Sequence, residues 1–218
     1  LGFTYADADP IAAWAYLTLL GHDAVQSAPS QRPAYKANIL NGHGVARFTS
    51  ASSTGLEMTG MGDVLTGDNT HSWFFVFRPN PITNYPVVVA WPVNAGWQYL
   101  QEVDLSGSWY QGGSGLRLAD AGIVANTWQL LSSVRTAAAT GEVYKAGTLA
   151  SEQSNTLGAV PAMTGNMLLG GYSTNTYALD GDIAEVLCFD SVLTAANRQA
   201  IEGYLAWRYG LQGSLPVG

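Results

Sequence analysis

The chain has 218 residues, of which 25 are glycine and only 11% are charged, and its formal net charge is −7. A chain of this length can bury one sizeable core, and the glycine content with frequent turn residues favours strands joined by loops. The nine basic residues are scattered and form no positive stripe, so nucleic acid is excluded as an expected partner.

The first elements predicted along the chain are short. Residues 11–20 form the longest apolar stretch, which is about half of what a bilayer requires. We interpret this stretch as an early core strand or short helix and expect no membrane insertion. Short strands are predicted at residues 45–48 and 55–58, with a loop at residues 59–70. The chain opens on Leu1, and we expect that any signal peptide or upstream portion is already absent.

A stronger strand pattern follows at residues 72–78, where aromatic and β-branched residues alternate in a continuous apolar run. Trp73, Phe75 and Phe77 share one face, and this predicts a strand that is covered on both sides. Later runs bounded by Gly and Pro indicate that the chain continues as strands. Further strands are predicted at residues 87–91, 97–105, 116–119, 127–135, 142–145 and 167–172.

The C-terminal part combines a strand with a helix. The alternation over residues 182–190 predicts a buried strand with Ile183, Glu185, Leu187 and Phe189 on one face and Ala184, Val186 and Cys188 on the other. Thr194 is a predicted N-cap and Gly210 a predicted left-handed C-cap. The helix between them is predicted to bury a stripe of Ile201, Tyr204, Leu205 and Arg208.

Two segments of this sequence resemble concanavalin A-like, laminin-G-type jelly-roll domains. Residues 181–210 resemble the end of such domains, where a G-x-I-A-E strand precedes a helix that ends in Y-L-x-x-[KR]-Y-G. Residues 32–48, RPAYKANILNGHGVARF, resemble the start of the same sandwich. The resemblance implies an all-β fold, namely an antiparallel two-sheet β-sandwich (jelly roll) with a C-terminal α-helix. We expect a single domain over residues 1–218, with a possible N-terminal arm at 1–10 and tail at 211–218.

Glu102 and Asp104 are the candidates for catalysis, because positions i and i+2 of a strand face the same side. The resemblance includes laminarinase-type glycoside hydrolases, which place three carboxylates at i, i+2 and i+4 of such a strand. The third position here is Ser106, so the acid that protonates a leaving group is missing. We therefore expect no enzymatic activity and keep glycoside hydrolysis as an alternative.

A calcium site is the candidate for metal binding, because Asp180 and Asp182 flank a glycine at the start of a strand. The same two residues are ordinary turn residues, and we otherwise expect no cofactor. The three histidines are far apart in sequence and indicate no zinc site. Cys188, the sole cysteine, is predicted to pack as a small hydrophobe.

Aromatic side chains are the candidates for ligand binding, since seven Trp and eleven Tyr are many for a chain with so few charges. Sugar rings pack their C–H faces on aromatic planes, and neighbouring polar groups bind the hydroxyls. The predicted ligand-binding set on the strand at 97–105 and its following turn is Trp97, Tyr99, Trp109, Tyr110, Glu102 and Asp104. Three other tryptophans, Trp73, Trp128 and Trp207, are predicted to pack in the core or between sheet and helix.

These patterns predict a non-catalytic recognition or adhesion module that binds a glycan or surface polysaccharide. The alternative is a structural or decoration domain of an extracellular assembly, such as a phage virion surface, that contacts neighbouring protein subunits. Both interpretations predict an extracellular, secreted or virion-surface location.

Overall fold

The computed structural model describes residues 5–15, 22–61, 70–81, 85–93, 96–103, 105–112, 117–118, 121–137, 140–153, 166–171 and 177–216. The strands of the first half are β1 (Ala13–Trp14), β2 (Ala24–Val25), β3 (Ala34–Leu40), β4 (His43–Phe48), β5 (Leu56–Met58), β6 (His71–Pro79), β7 (Val87–Val93) and β8 (Gly96–Val103). The later elements are β9 (Trp109–Gly112), β10 (Arg117–Leu118), β11 (Gln129–Ala137), β12 (Thr140–Lys145), β13 (Thr148–Gln153), β14 (Met167–Leu169), β15 (Gly181–Phe189) and the helix α1 (Ala195–Tyr209).

The described strands form two antiparallel sheets. The larger sheet has the order β1-β2-β5-β14-β7-β8-β9-β10, and the smaller has the order β13-β12-β11-β6-β15-β4-β3. The predicted fold class is therefore confirmed as a β-sandwich with one C-terminal helix. Sequence reasoning predicted no strand at β2, β3, β9 or β13, of which β3 and β13 are partly polar strands at the two edges of the smaller sheet.

Two apolar layers hold the sandwich together. Trp73, Phe75 and Phe77 on β6 pack between the sheets, whereas Phe74 and Val76 point to the layer under α1. Because side chains alternate along a strand, this central strand supplies both layers, as its sequence predicts. All five side chains are buried.

A β-bulge in β15 changes the predicted faces of this strand. The register with β6 shifts between Ile183 and Glu185, so Ile183 joins Val186 and Cys188 on the core between the sheets. Leu187 and Phe189 contact the layer under the helix. The prediction that Ile183 shares a face with Leu187 is therefore wrong, because a bulge inserts one unpaired residue and inverts the alternation.

The helix α1 has the predicted caps. The Thr194 side chain accepts a hydrogen bond from the backbone N–H of Asn197 at 3.2 Å, and Gly210 has φ 70°. This left-handed conformation is open to glycine without steric cost. The two ends of the helix are therefore fixed by local sequence.

The buried face of α1 differs from the predicted stripe. The buried residues are Arg198, Glu202, Leu205, Ala206 and Tyr209, whereas Tyr204 is 47% exposed. The helix buries a polar pair because Arg198 Nη1 donates to both Glu202 carboxylate oxygens at 2.7 and 2.8 Å. Ser132 on β11 also donates to Glu202 at 2.7 Å. The predicted burial of Leu205 is confirmed, and that of Tyr204 is wrong.

The described parts of both termini pack on the sandwich. Ala8 donates its backbone N–H to the Tyr35 carbonyl oxygen at 2.8 Å, and the Tyr35 N–H donates to the carbonyl oxygen of Asp9 at 2.8 Å. Leu211 and Leu215 pack against the layer under the helix. Within the described ranges, no helix combines the length and apolar character needed to cross a bilayer.

Candidate functional site

The predicted ligand-binding set falls on β8 and β9. Trp97, Tyr99 and Glu102 belong to β8, and Glu102 stands opposite Tyr110 of β9 in the strand register. Tyr110 is half-buried. Asp104 lies outside the described residues, and the binding role of the set stays a prediction.

Trp109 occupies a different environment from the one predicted. It is fully buried between the sheets, with ring centroids 5.1 Å from Phe75 and 5.6 Å from Phe77. A surface sugar cannot stack on a ring whose faces are covered by other side chains. The prediction of Trp109 as a stacking residue is therefore corrected, because its position on β9 directs it into the core.

Asp180 and Asp182, the predicted calcium ligands, are hydrogen-bonded to protein groups instead. Arg47 Nε donates to Asp182 Oδ1 at 2.7 Å, and Arg78 Nε donates to Oδ2 at 3.1 Å. Asp180 accepts a 2.7 Å hydrogen bond from the Ser50 backbone N–H and another from its hydroxyl. Two guanidinium groups beside Asp182 disfavour a cation there, so this pair does not fit the predicted calcium site.

A cleft opens beside β15, where its two neighbours in the sheet differ in length. β4 pairs with residues 181–183 only, whereas β6 continues to Phe189. The resulting cavity, which we name the edge cleft, has a volume of about 360 Å³. Its apolar lining comes from both sheets and includes Trp14, Met58, Met167, Trp73, Val186 and Cys188.

Glu185, Arg208 and Tyr209 form the polar part of the edge cleft lining. The Tyr209 hydroxyl donates to Glu185 Oε2 at 2.7 Å, and Arg208 Nε lies 3.3 Å from the same oxygen. The Glu185 carboxylate thus interacts with both a tyrosine and an arginine. Burial raises the pKa of Tyr209, so this hydroxyl remains a donor at neutral pH.

One donor in the lining makes no hydrogen bond with any described residue, and a second makes none of proper geometry. The indole Nε1–H of Trp73, a side chain that is 1% exposed, makes no hydrogen bond. Arg208 Nε likewise lacks a hydrogen bond of proper geometry despite its proximity to Glu185. Burial also raises the pKa of the Cys188 thiol well above its usual value, so this group is an uncharged part of the wall.

The opposite side of α1 presents two exposed aromatic residues, which we name the outer aromatic pair. Trp207 is 69% exposed and Tyr204 is 47% exposed. Arg208 Nη1 donates to the Tyr204 hydroxyl at 3.2 Å, so Arg208 lies between this pair and the edge cleft. The prediction that Trp207 packs between sheet and helix is wrong, because Leu205, Ala206 and Tyr209 occupy the buried face.

Sequence reasoning named neither the edge cleft nor the outer aromatic pair as a site. The i, i+3 spacing of Tyr204 and Trp207 was an available signal that both lie on one side of the helix. The cleft had no comparable signal, because its lining comes from residues that are distant in sequence.

Comparison with known proteins relates the chain to others through its fold. Neither a protein-family model nor a curated protein matches its sequence. Domain 4 of AbnA, a GH43 extracellular arabinanase from Geobacillus stearothermophilus in complex with arabinotriose, is 13% identical, with a TM-score of 0.58 over 78% of this chain and 81% of that chain. The botulinum neurotoxin serotype G binding domain is 11% identical, with a TM-score of 0.56 over 91% of this chain and 51% of that chain.

Trypanosoma rangeli sialidase in complex with the inhibitor DANA is 10% identical, with a TM-score of 0.59 over 83% of this chain and 29% of that chain. At these identities the likeness shows the fold alone. The chain therefore shares a jelly-roll sandwich fold with these proteins, and membership of the concanavalin A-like, laminin-G-type superfamily stays a prediction.

Proposed function

We propose that this chain is a non-catalytic recognition module that binds carbohydrate in an extracellular setting. The observation that carries the proposal is the outer aromatic pair, in which Trp207 and Tyr204 present large ring surfaces to solvent. Exposed aromatic rings offer the planes on which sugar C–H faces pack.

Arg208 supplies the polar component that a sugar site requires. Its Nη1 donates to the Tyr204 hydroxyl at 3.2 Å, which fixes the guanidinium beside the exposed rings. Guanidinium N–H groups and a tyrosine hydroxyl suit sugar hydroxyls as hydrogen-bond partners. One stretch of α1 would thus supply both the rings on which a sugar stacks and the polar groups that orient its hydroxyls.

The comparisons support this proposal at the level of the fold. The arabinanase domain with a similar sandwich was solved in complex with arabinotriose. A sandwich of this kind is therefore able to hold an oligosaccharide in that protein. A glycan partner for this chain is in keeping with that precedent.

The proposed absence of catalysis rests on the strand that carries Glu102. Ser106, at the position of the required acid, is exposed and has no carboxyl group to protonate a leaving group. We expect no release of reducing sugar from β-glucans at enzyme-like rates. Release that disappears in Glu102→Gln would instead make Glu102 a nucleophile and overturn this part of the proposal.

A glycan array with the purified chain, run with calcium and with a chelator, tests binding. Trp207→Ala should weaken the binding of an array hit by about 1–3 kcal/mol, as expected for loss of one stacked ring. Leu149→Ala, which changes an exposed apolar residue on β13, is the matched control and should bind like the parent. Trp97→Ala tests the prediction of a site on β8. If Trp97→Ala weakens glycan binding and Trp207→Ala does not, the site lies on β8 instead.

The second candidate is a structural role in an extracellular assembly, because an exposed aromatic pair is also suited to burial against a protein subunit. Size-exclusion chromatography separates the two candidates. A monomer that binds glycan supports recognition. A chain that binds no glycan and self-assembles through Trp207, with Trp207→Ala restoring the monomer, supports the structural role.

A further inference from the structure

We propose that the edge cleft is a second binding site, separate from the outer aromatic pair, for an alkyl carboxylate. The inference does not rest on carbohydrate binding. It rests on the size of the cleft, its apolar walls, the unpaired indole N–H of Trp73 and the partly exposed guanidinium of Arg208. Its volume of about 360 Å³ lies within the roughly 300–1,000 Å³ of small-molecule sites.

The walls of the cleft favour a flexible apolar ligand. Met58 and Met167 stand opposite each other on β5 and β14, and Val186 and Cys188 line the cleft from β15. Methionine side chains are unbranched and adapt to the shape of what they contact. Burial keeps the Cys188 thiol neutral by raising its pKa. An alkyl chain therefore finds apolar contacts from both sheets.

The unpaired groups of the lining define the head group of the ligand. Trp73 Nε1 has no hydrogen-bond partner among the described residues, and Arg208 Nε makes no hydrogen bond of proper geometry although it lies 3.3 Å from Glu185 Oε2. A buried donor that makes no hydrogen bond is destabilising, so a ligand that supplies acceptors gains affinity. A carboxylate supplies acceptor oxygens and no donor, which complements these two groups.

The charges around the cleft agree with this head group. Glu185 already accepts from the Tyr209 hydroxyl and lies beside Arg208, so its charge is offset within the lining. The side chain of Arg208 is 38% exposed, which leaves part of the guanidinium open to a ligand. A quaternary ammonium head on the same alkyl chain has no acceptor and should bind more weakly.

The test uses dodecanoate with the full chain, below the micelle concentration, by isothermal titration calorimetry. We expect saturable binding of one dodecanoate per chain, and at least tenfold weaker binding of dodecyltrimethylammonium. Dodecanoate should also slow the alkylation of Cys188 by N-ethylmaleimide, because this residue lines the cleft. Absence of saturable dodecanoate binding by the folded parent, or equal affinity for the ammonium, would overturn the proposal.

Variants locate the binding. Cys188→Phe should fill the cleft and lower dodecanoate affinity at least tenfold. Ala24→Leu, at a buried lining residue, serves if the first variant does not fold. Trp73→Phe removes the indole donor and should weaken binding by about tenfold, the loss of one hydrogen bond. Trp91→Phe, at a buried tryptophan outside the cleft lining, is its control and should bind like the parent.

These experiments can contradict each of the two binding proposals separately. Trp207→Ala should leave dodecanoate binding unchanged, and Cys188→Phe should leave the signal of any array glycan unchanged. Dodecanoate binding without glycan binding contradicts only the carbohydrate proposal. Undiminished dodecanoate binding in folded Cys188→Phe and Ala24→Leu would place the ligand elsewhere and overturn the cleft proposal.

Discussion

Asp182 is a buried carboxylate that joins three strands, since its partners Arg47 and Arg78 lie on β4 and β6. Asp182 is 1% exposed, whereas both arginines reach solvent. We expect Asp182→Asn to lower the free energy of unfolding by about 1.5–3 kcal/mol, the range for hydrogen bonds to charged groups. Denaturant unfolding measures the loss, with Asp190→Asn at an exposed position as control. Equal midpoints for the two variants would contradict the structural role of Asp182.

Tyrosine ionisation makes the fold sensitive to alkaline pH. Burial, together with a hydrogen bond to Glu142, raises the pKa of Tyr144 from 10.0 to about 12, and burial raises the pKa of Tyr209 as well. Between pH 10 and 12 the unfolded chain therefore binds fewer protons at Tyr144 than the folded chain, so stability falls as pH rises through this window. The stabilisation that Tyr144 contributes is fully present below pH 10, which is the pKa of this tyrosine in the unfolded chain.

Absorbance titration of the tyrosines checks this expectation. The parent should show a phenol that ionises near pH 12, and Tyr144→Phe should remove that step. Tyr177→Phe is the control and should retain it. Complete ionisation of the folded parent's tyrosines near pH 10 would contradict the burial argument.

At the scale of elements, the two sides of α1 should differ in their contribution to stability. Leu205 is 1% exposed and packs on the smaller sheet, so Leu205→Ala should cost about 2–5 kcal/mol. Tyr204→Ala and Trp207→Ala change exposed side chains of the same helix and should stay within about 0.5–1 kcal/mol of the parent. Thermal and denaturant unfolding of the three variants measures the contrast. If Trp207→Ala lowered the free energy of unfolding as much as Leu205→Ala, the exposed face of α1 would have to be packed against other residues.

At the scale of the whole molecule, the net charge of −7 with nine basic residues argues against recognition by charge. Binding of a neutral glycan should therefore change less than about twofold between roughly 0.05 and 0.5 M salt. Contacts that release counterions behave differently and weaken steeply as salt rises. Affinity measured across this range for one array hit tests the expectation, and a tenfold loss would indicate that charge dominates.

Much of this architecture was predictable because its signals are local. Alternation in β6 and the caps Thr194 and Gly210 are encoded within a few neighbouring residues. Backbone geometry converts such patterns directly into a strand with two covered faces or a helix with defined ends. The C-terminal helix and the burial of Leu205 follow from sequence for this reason, whereas the sandwich class was predicted from the resemblance of residues 32–48 and 181–210 to a known family.

Tertiary structure decided where these elements meet. The bulge after Ile183 depends on the partner strand β6, and the burial of Arg198 with Glu202 depends on Ser132 of β11. That buried polar pair fixes the rotation of α1 and thereby exposes Trp207. The edge cleft arises because β4 pairs with only the first part of β15. Such features depend on contacts between distant residues, which no local pattern of a single sequence encodes.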